Sequence, residues 1–308
     1  MRDHTLIYAV LLCAAIASGA LGQEETPAEP PEPQPAASEP LAEETHTIES
    51  AQQAWTIKFE PAMWYVAPNG NVRLPGSSGA GNGETYTVGD LNLDSPRPSL
   101  FGELQLKRGD WRISVEGASF ATDDRGAIAD EAGQIGAVPF SAGDSLRSSL
   151  DLTTFSAAGA YAFHGFESGE MTSGGVKARS TLLAVAGIRA VDVSFDTAVL
   201  PMDSTGTPGT AGGDAMHAHP FAGVRWELEV LEDFTIDVTA TLGGLPSGES
   251  ESWSSDILVG FQWNPTPHIG AQIGYRQLLL GVEDGEAPTE FAWQGGLAGV
   301  YAGLTLRF

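Results

Sequence analysis

From Trp55 onward, apolar and polar residues alternate in short runs separated by clusters of Gly, Asp, Ser and Pro, with no convincing amphipathic helix between them. The alternation predicts about ten strands. They run Trp55 to Val66, Leu100 to Lys107, Trp111 to Phe120, Leu150 to Phe163, Thr181 to Ser194, His217 to Val230, Phe234 to Leu242, Trp253 to Trp263, His268 to Leu280 and Leu297 to Phe308. The connections alternate in length. Ala67 to Ser99, Ala121 to Ser149, Asp196 to Met216 and Gly281 to Glu290 are long, whereas Arg108 to Asp110, Leu231 to Asp233 and Asn264 to Pro267 are short. Gly165 to Ser180 departs from this rule, being long on the short-turn side.

In the last run, Val300, Ala302, Leu304, Leu306 and Phe308 alternate with Tyr301, Gly303, Thr305 and Arg307, and Phe308 is the terminal residue. Such a period of two turns one apolar row toward lipid and one polar row toward a lumen. The pattern resembles the C-terminal signal of bacterial outer-membrane β-barrels, and the architecture is similar to that of small barrels such as the OmpA membrane domain and OmpW. The resemblance implies an all-β fold, a transmembrane antiparallel up-and-down barrel in the bacterial outer membrane. It also implies outer-membrane lipid as surroundings, with Leu304, Leu306 and Phe308 forming the insertion signal recognised by the barrel-assembly machinery.

The first part of the chain has a different character. Arg2, the apolar run Leu6 to Ala17 and the small-residue site Ala20-Leu21-Gly22 predict a signal peptide over residues 1–22. That run is too short for a comfortable transmembrane helix, and no other segment approaches the roughly 20 apolar residues a spanning helix needs. Leu12 stands where a lipobox before Cys13 would carry a small residue, so a lipoprotein is disfavoured, and removal of the signal leaves no cysteine. Residues 23–50 hold six prolines, eight glutamates and no aromatic residue, which predicts a disordered periplasmic linker ahead of a barrel over residues 51–308. Taking those eight glutamates from the formal charge of −25 leaves −17, since Arg2 and Asp3 cancel. A chain this acidic is not expected to bind nucleic acid or anionic headgroups through a basic patch.

Aromatic and charged residues then assign the faces. Trp55, Trp111, Tyr161, Phe163, Phe234, Trp263 and Phe308 all fall near the short-turn rim, as an interfacial girdle would. Tyr65, Phe120, Phe155, Phe195 and Phe221 form a looser set toward the other rim. Seven basic residues lie within the predicted strands, Lys58, Lys107, Arg112, Arg189, Arg225, Arg276 and Arg307, each out of step with the more apolar row. Glu60, Glu103, Glu116, Glu227, Glu229, Asp237 and Asp256 share their register, so both sets are assigned to the lumen. Arg189 and Asp192 cannot both point inward without a bulge. A basic residue at the lipid midplane costs about 2 to 4 kcal/mol, which supports the assignment. A ten-strand lumen filled this way is expected to be plugged by paired charges, with a small polar pore as the alternative.

Catalytic chemistry is weakly signalled. Ten strands is also the size of the omptin surface proteases, and the candidates for their acidic pair and Asp-His pair are Asp123-Asp124 and the run Asp214 to His219. The spacing departs from the omptin pattern, in which one residue separates Asp and His, and no serine lies in a nucleophile motif. His217 and His219 share a strand face and could take a metal with Asp214, although a solvent-exposed strand start is the preferred account. No cofactor is expected. Asp90, Asp94, Asp123, Asp124, Asp130, Glu131, Asp144, Asp203, Glu283, Asp284 and Glu286 on the long loops could hold divalent cations weakly. The expected function is a non-enzymatic envelope or surface-interaction barrel. The alternatives are a narrow channel, a lipocalin-like soluble binding protein and, remotely, a surface protease.

Overall fold

The computed structural model describes residues 54–76, 83–122, 125–167, 178–203, 206–230, 233–247 and 250–308. The expected signal peptide and linker, and the Asp123-Asp124 pair, lie outside the described residues. Ten antiparallel strands form the ring: β1 Thr56–Arg73, β2 Arg97–Arg108, β3 Trp111–Ala121, β4 Ser145–Glu167, β5 Ala178–Leu200, β6 Gly209–Val230, β7 Phe234–Ser247, β8 Ser250–Trp263, β9 Ile269–Asp284 and β10 Phe291–Arg307. Each pairs with its sequence neighbour, and β10 returns to β1 from Lys58 opposite Arg307 to Arg73 opposite Ala292. Phe308 completes this seam, donating to the Ile57 carbonyl at 2.9 Å and accepting from the Ile57 N–H at 3.1 Å. A closed ring leaves no unpaired edge, which is what lets strands stand in lipid.

Outward rows carry Ile57, Phe59, Met63, Leu104, Ile113, Val224, Val259, Ile273, Val300 and Leu304, all exposed and apolar. The expected girdle is present, with Trp55, Trp111, Tyr161, Phe163, Trp263 and Phe308 exposed near the short-turn rim. Trp111 and Tyr161 have ring centroids 4.9 Å apart, and Phe234 stacks on Phe261 at 5.7 Å. At that rim the β2–β3 turn is closed by Gly109, whose φ of +61° suits a residue without a side chain. The second aromatic set is corrected: Tyr65 and Phe155 face outward, but Phe120, Phe195 and Phe221 are buried inside the barrel.

The expected strands are the right ten, but their outer ends are too short. β1 runs on to Arg73, β4 starts at Ser145, β5 reaches Leu200 and β6 starts at Gly209. Arg73, Arg97 and Arg147 accordingly lie on strands and not in loops, and at the short-turn ends Arg108 and Arg179 are on strands as well. At 23 residues, β4 and β5 are each about 75 Å long, and at a tilt near 40° they rise roughly 55 Å against a lipid band of about 25 Å. The outer half therefore stands in water, and there the sense of the alternation reverses. On β5, Ala186, Ile188 and Ala190 face out within the lipid band, whereas Asp192, Ser194 and Asp196 face out above it. Val191, Val193 and Phe195 turn inward and are fully buried. Arg189 thus points in and Asp192 out with no bulge in the β5–β6 register.

Inside that outer half lies an apolar core. Trp64, Val66, Val72, Leu278, Leu280, Val282, Trp293 and Leu297 form the wall of β9, β10 and β1, and Leu150, Leu152, Val191 and Val193 the wall of β4 and β5. Leu74, Val88, Leu91 and Leu93 from the β1–β2 connection, and Ile135 and Phe140 from the β3–β4 connection, fill the mouth between them. The latter two belong to a short hairpin of Gly133–Ile135 and Val138–Phe140.

Candidate functional site

Below the apolar core, inward residues of the membrane-level strands form an ion-pair network in three tiers. Near the short-turn rim, Arg112 of β3 clamps Glu227 of β6 through both carboxylate oxygens, the second contact at 2.6 Å. Above it, Arg225 of β6 lies 2.6 Å from Asp237 on β7, 3.2 Å from Glu103 on β2 and 3.1 Å from Glu227. Beside this tier Glu60 of β1 takes Lys58 at 2.8 Å and accepts from Gln262 at 2.8 Å and Thr305 at 3.1 Å. In the third tier Asp256 of β8 is shared by Arg276 of β9 at 2.6 Å and Arg189 of β5 at 2.8 Å, and Arg276 also contacts Glu116 of β3.

Aromatic faces complete the arginine shells. The Arg276 guanidinium lies 4.8 Å from the Phe101 ring centre and 5.5 Å from that of Trp64, and Arg189 lies 4.9 Å from Phe221. Delocalised guanidinium groups, weakly hydrated and flat, tolerate this burial better than lysine would. Glu60, Glu227, Asp237 and Asp256 each have several donors, as a charge withdrawn from water requires, whereas Glu103 and Glu116 each meet one arginine among the described residues.

Of the residues singled out by the sequence, Lys58, Glu60, Glu103, Arg112, Glu116, Arg189, Arg225, Glu227, Asp237 and Arg276 are joined in this network, together with Asp256. Lys107, Glu229 and Arg307 also lie on inward rows, at the short-turn mouth, and none of them joins an ion pair among the described residues. Gln262, Thr305, Ser254 and Thr241 were missed. Their only signal was sharing strand parity with the charged residues.

The histidine expectation is corrected. His217 and His219 are not at a solvent-exposed strand start: His219 is buried inside the barrel, with Nδ1 3.1 Å from Ser252 Oγ and Nε2 2.8 Å from Ser254 Oγ. Ser254 in turn accepts from Arg189 at 3.0 Å, so the pair extends the third tier upward. Asp214 faces the opposite side of β6 and cannot join the histidines at one ion. Among the described residues no group of three or more potential ligands is placed to hold a metal. Two outer-loop acids cap local turns, Asp90 accepting from the Thr87 N–H at 2.9 Å and Asp144 from that of Ser141 at 2.8 Å, and Asp144 also accepts from the Met202 N–H of the β5–β6 connection at 2.9 Å.

The remaining space is divided. A cavity of about 70 Å³ lies among Glu103, Gln105, Ser114, Glu116, Arg225 and Asp256, and one of about 20 Å³ between Glu60, Phe101 and Tyr301. Both are polar and of a size for ordered water. A larger one of about 320 Å³ opens beside Lys107 at the short-turn mouth.

No protein-family model and no curated protein matches the chain. Among solved structures it is similar to the outer membrane protease OmpT of Escherichia coli, with 11% identity and a TM-score of 0.44 over 82% of this chain and 97% of that one. It is also similar to Neisserial surface protein A, at 12% identity and a TM-score of 0.29 over 82% and 97% of the two chains. Ail of Yersinia pestis matches at 9% identity and a TM-score of 0.29 over 82% and 98%. The closed ring, its uncharged lipid-facing rows and its aromatic girdle make the protein an outer-membrane β-barrel.

Proposed function

We propose that the protein is a non-enzymatic, non-conducting outer-membrane barrel that contributes to envelope integrity or surface interaction. The observation that carries this is the double occlusion of the lumen. Ion-paired arginines cross the membrane-level section from strand to strand, and above them the apolar core, with Leu74, Val88, Leu91, Leu93, Ile135 and Phe140 of the connections, fills the outer half. An ion moving along the axis would have to break charge pairs and then enter a hydrocarbon-lined section, and both steps are costly. The outer half also gives a rigid, water-facing surface above the lipid, suited to contact with other surface molecules.

Planar-bilayer recording of the purified full chain tests the occlusion. No stable conductance steps are expected, and replacing Leu91 and Leu93 by serine is not expected to create them while the ion-pair tiers remain. Regular single-channel steps from the unmodified protein would replace the closed barrel by a narrow channel.

A further inference from the structure

All ten strands of the ring are joined by hydrogen-bonded ladders, but the one between β6 and β7 stops short. Its last pair is Phe221 opposite Gly243, whereas the ladder of β6 with β5 continues to Gly209. β7 completes its own run, Gly244 to Ser247, against β8 alone. Pro220 explains the stop. A Cβ at Gly243 would stand 2.7 Å from the Pro220 carbonyl oxygen, so that carbonyl points toward β7. In an extended strand the N–H and C=O of one residue lie on the same side, and the side alternates from residue to residue. Pro220 therefore turns toward β7 a backbone nitrogen without a hydrogen, and the ladder cannot continue through it.

The same parity places the N–H and C=O of Gly212, Asp214 and Met216 on this side of β6. None of the three has a ladder partner or another backbone hydrogen bond there among the described residues. All are exposed, Met216 by 74%. From within, Gly213 lies so close over the Phe291 ring that a Cβ would be 2.5 Å from it, which braces the strand. The result is a rigid, water-facing edge above the lipid that offers a donor and an acceptor about every 7 Å.

An extended backbone carries the matching groups at that spacing. The side chains beside the edge set its charge. Asp214 stands opposite Ser194, which also faces Asp151 on β4 and is flanked along β5 by Asp192 and Asp196. A second copy paired through the same edge would bring Asp214 toward its own counterpart, and like charges across a ladder are destabilising. A basic strand meets no such opposition. We propose that the free edge of β6 is a docking site for an extended basic segment of another protein, added antiparallel as a further strand beside Gly212, Asp214 and Met216. A lysine or arginine opposite Asp214 exchanges both backbone hydrogen bonds with it and sets its charge against the acidic face. Such docking rests on the surface-interaction reading above and gives it a partner class.

The test is fluorescence anisotropy of a labelled Lys-Val-Lys-Val-Lys-Val-Lys peptide with the folded full chain in a neutral detergent. Saturable binding is expected, about tenfold weaker in Met216→Pro and in Asp214→Lys. Met216→Pro removes an N–H that the fold leaves unpaired, as Pro220 does at the same parity, so this variant should keep the heat-modifiable mobility of the folded barrel. N-methylation of the peptide at its lysines should abolish binding, and N-methylation at its valines should not. Asp94→Lys, the same charge change on the β1–β2 connection, should bind as the unmodified chain does. Equal weakening by Asp94→Lys and Asp214→Lys, or unchanged binding of the lysine-methylated peptide, would reduce the attraction to net charge and overturn the edge. A dimer in detergent that Met216→Pro dissociates would replace the basic strand by a second copy. Absence of saturable binding overturns the site and leaves the closed lumen standing, which the conductance recording tests separately.

Discussion

Arg276 concentrates the energetics of the lumen in one side chain. It is 1% exposed, bonded to Asp256 and Glu116 and covered by Phe101 and Trp64. Arg276→Met would leave two buried carboxylates facing each other, and breaking a buried pair from one side costs about 3 to 5 kcal/mol. The denaturation midpoint of the heat-modifiable form should fall accordingly, while a combined Arg276→Met, Asp256→Leu variant should recover part of the loss. Because Arg189 shares Asp256, its own replacement should be non-additive with that of Arg276. Close packing matters as much beside the charges. A methyl at Gly274 would stand against the Val259 carbonyl and 2.5 Å from Tyr301 Cζ. Gly274→Ala should therefore destabilise the folded form by about 1 to 3 kcal/mol through overpacking, read in the same midpoint.

Among the elements, the β1–β10 seam and the outer connections carry the clearest consequences. Phe308 closes the last turn of the seam by two backbone hydrogen bonds and lies on the lipid side. Its deletion is expected to lower the yield of heat-modifiable barrel in outer membranes, with material accumulating unfolded in the periplasm. Asp144 ties the β3–β4 connection to Met202 between β5 and β6. The N–H groups of Ser141 and Met202, which donate to it, hold its carboxyl below the usual carboxylate range. A lowered folded value contributes stability that is present above the unfolded value of about 3.9 and is lost as pH falls through the folded one. Limited proteolysis of this connection should thus be unchanged between pH 7 and about pH 5. It should increase only in stronger acid, or at neutral pH in Asp144→Ala.

In the molecule as a whole, strand number, order and membrane-level faces were legible because one period of two, read against lipid, sorts apolar from charged residues. Arg225 between Val224 and Trp226 is such a case, and all seven strand cations picked out by that rule are on inward rows. The outer half was illegible for a related reason. Above the lipid band the outside becomes water and the inside hydrocarbon, so the same alternation changes sense, as between Ile188 and Asp192 on β5. A rule tied to lipid then ends the strands early, placing His217 in solvent and Phe195 in an aromatic set at the outer rim. The individual partners of each arginine were equally beyond reach, since Arg112 meets Glu227 across the lumen at a separation of 115 residues.

The reversal of faces along β4, β5 and β6 gives the barrel an unusual handle for engineering. Ser194 and Asp214 are direct cross-strand partners on the water side of the outer half, held by a continuous ladder instead of a loop. A fluorophore, an affinity tag or a short epitope joined there would be displayed at a fixed height and orientation above the cell surface, its motion limited to that of the sheet beneath it.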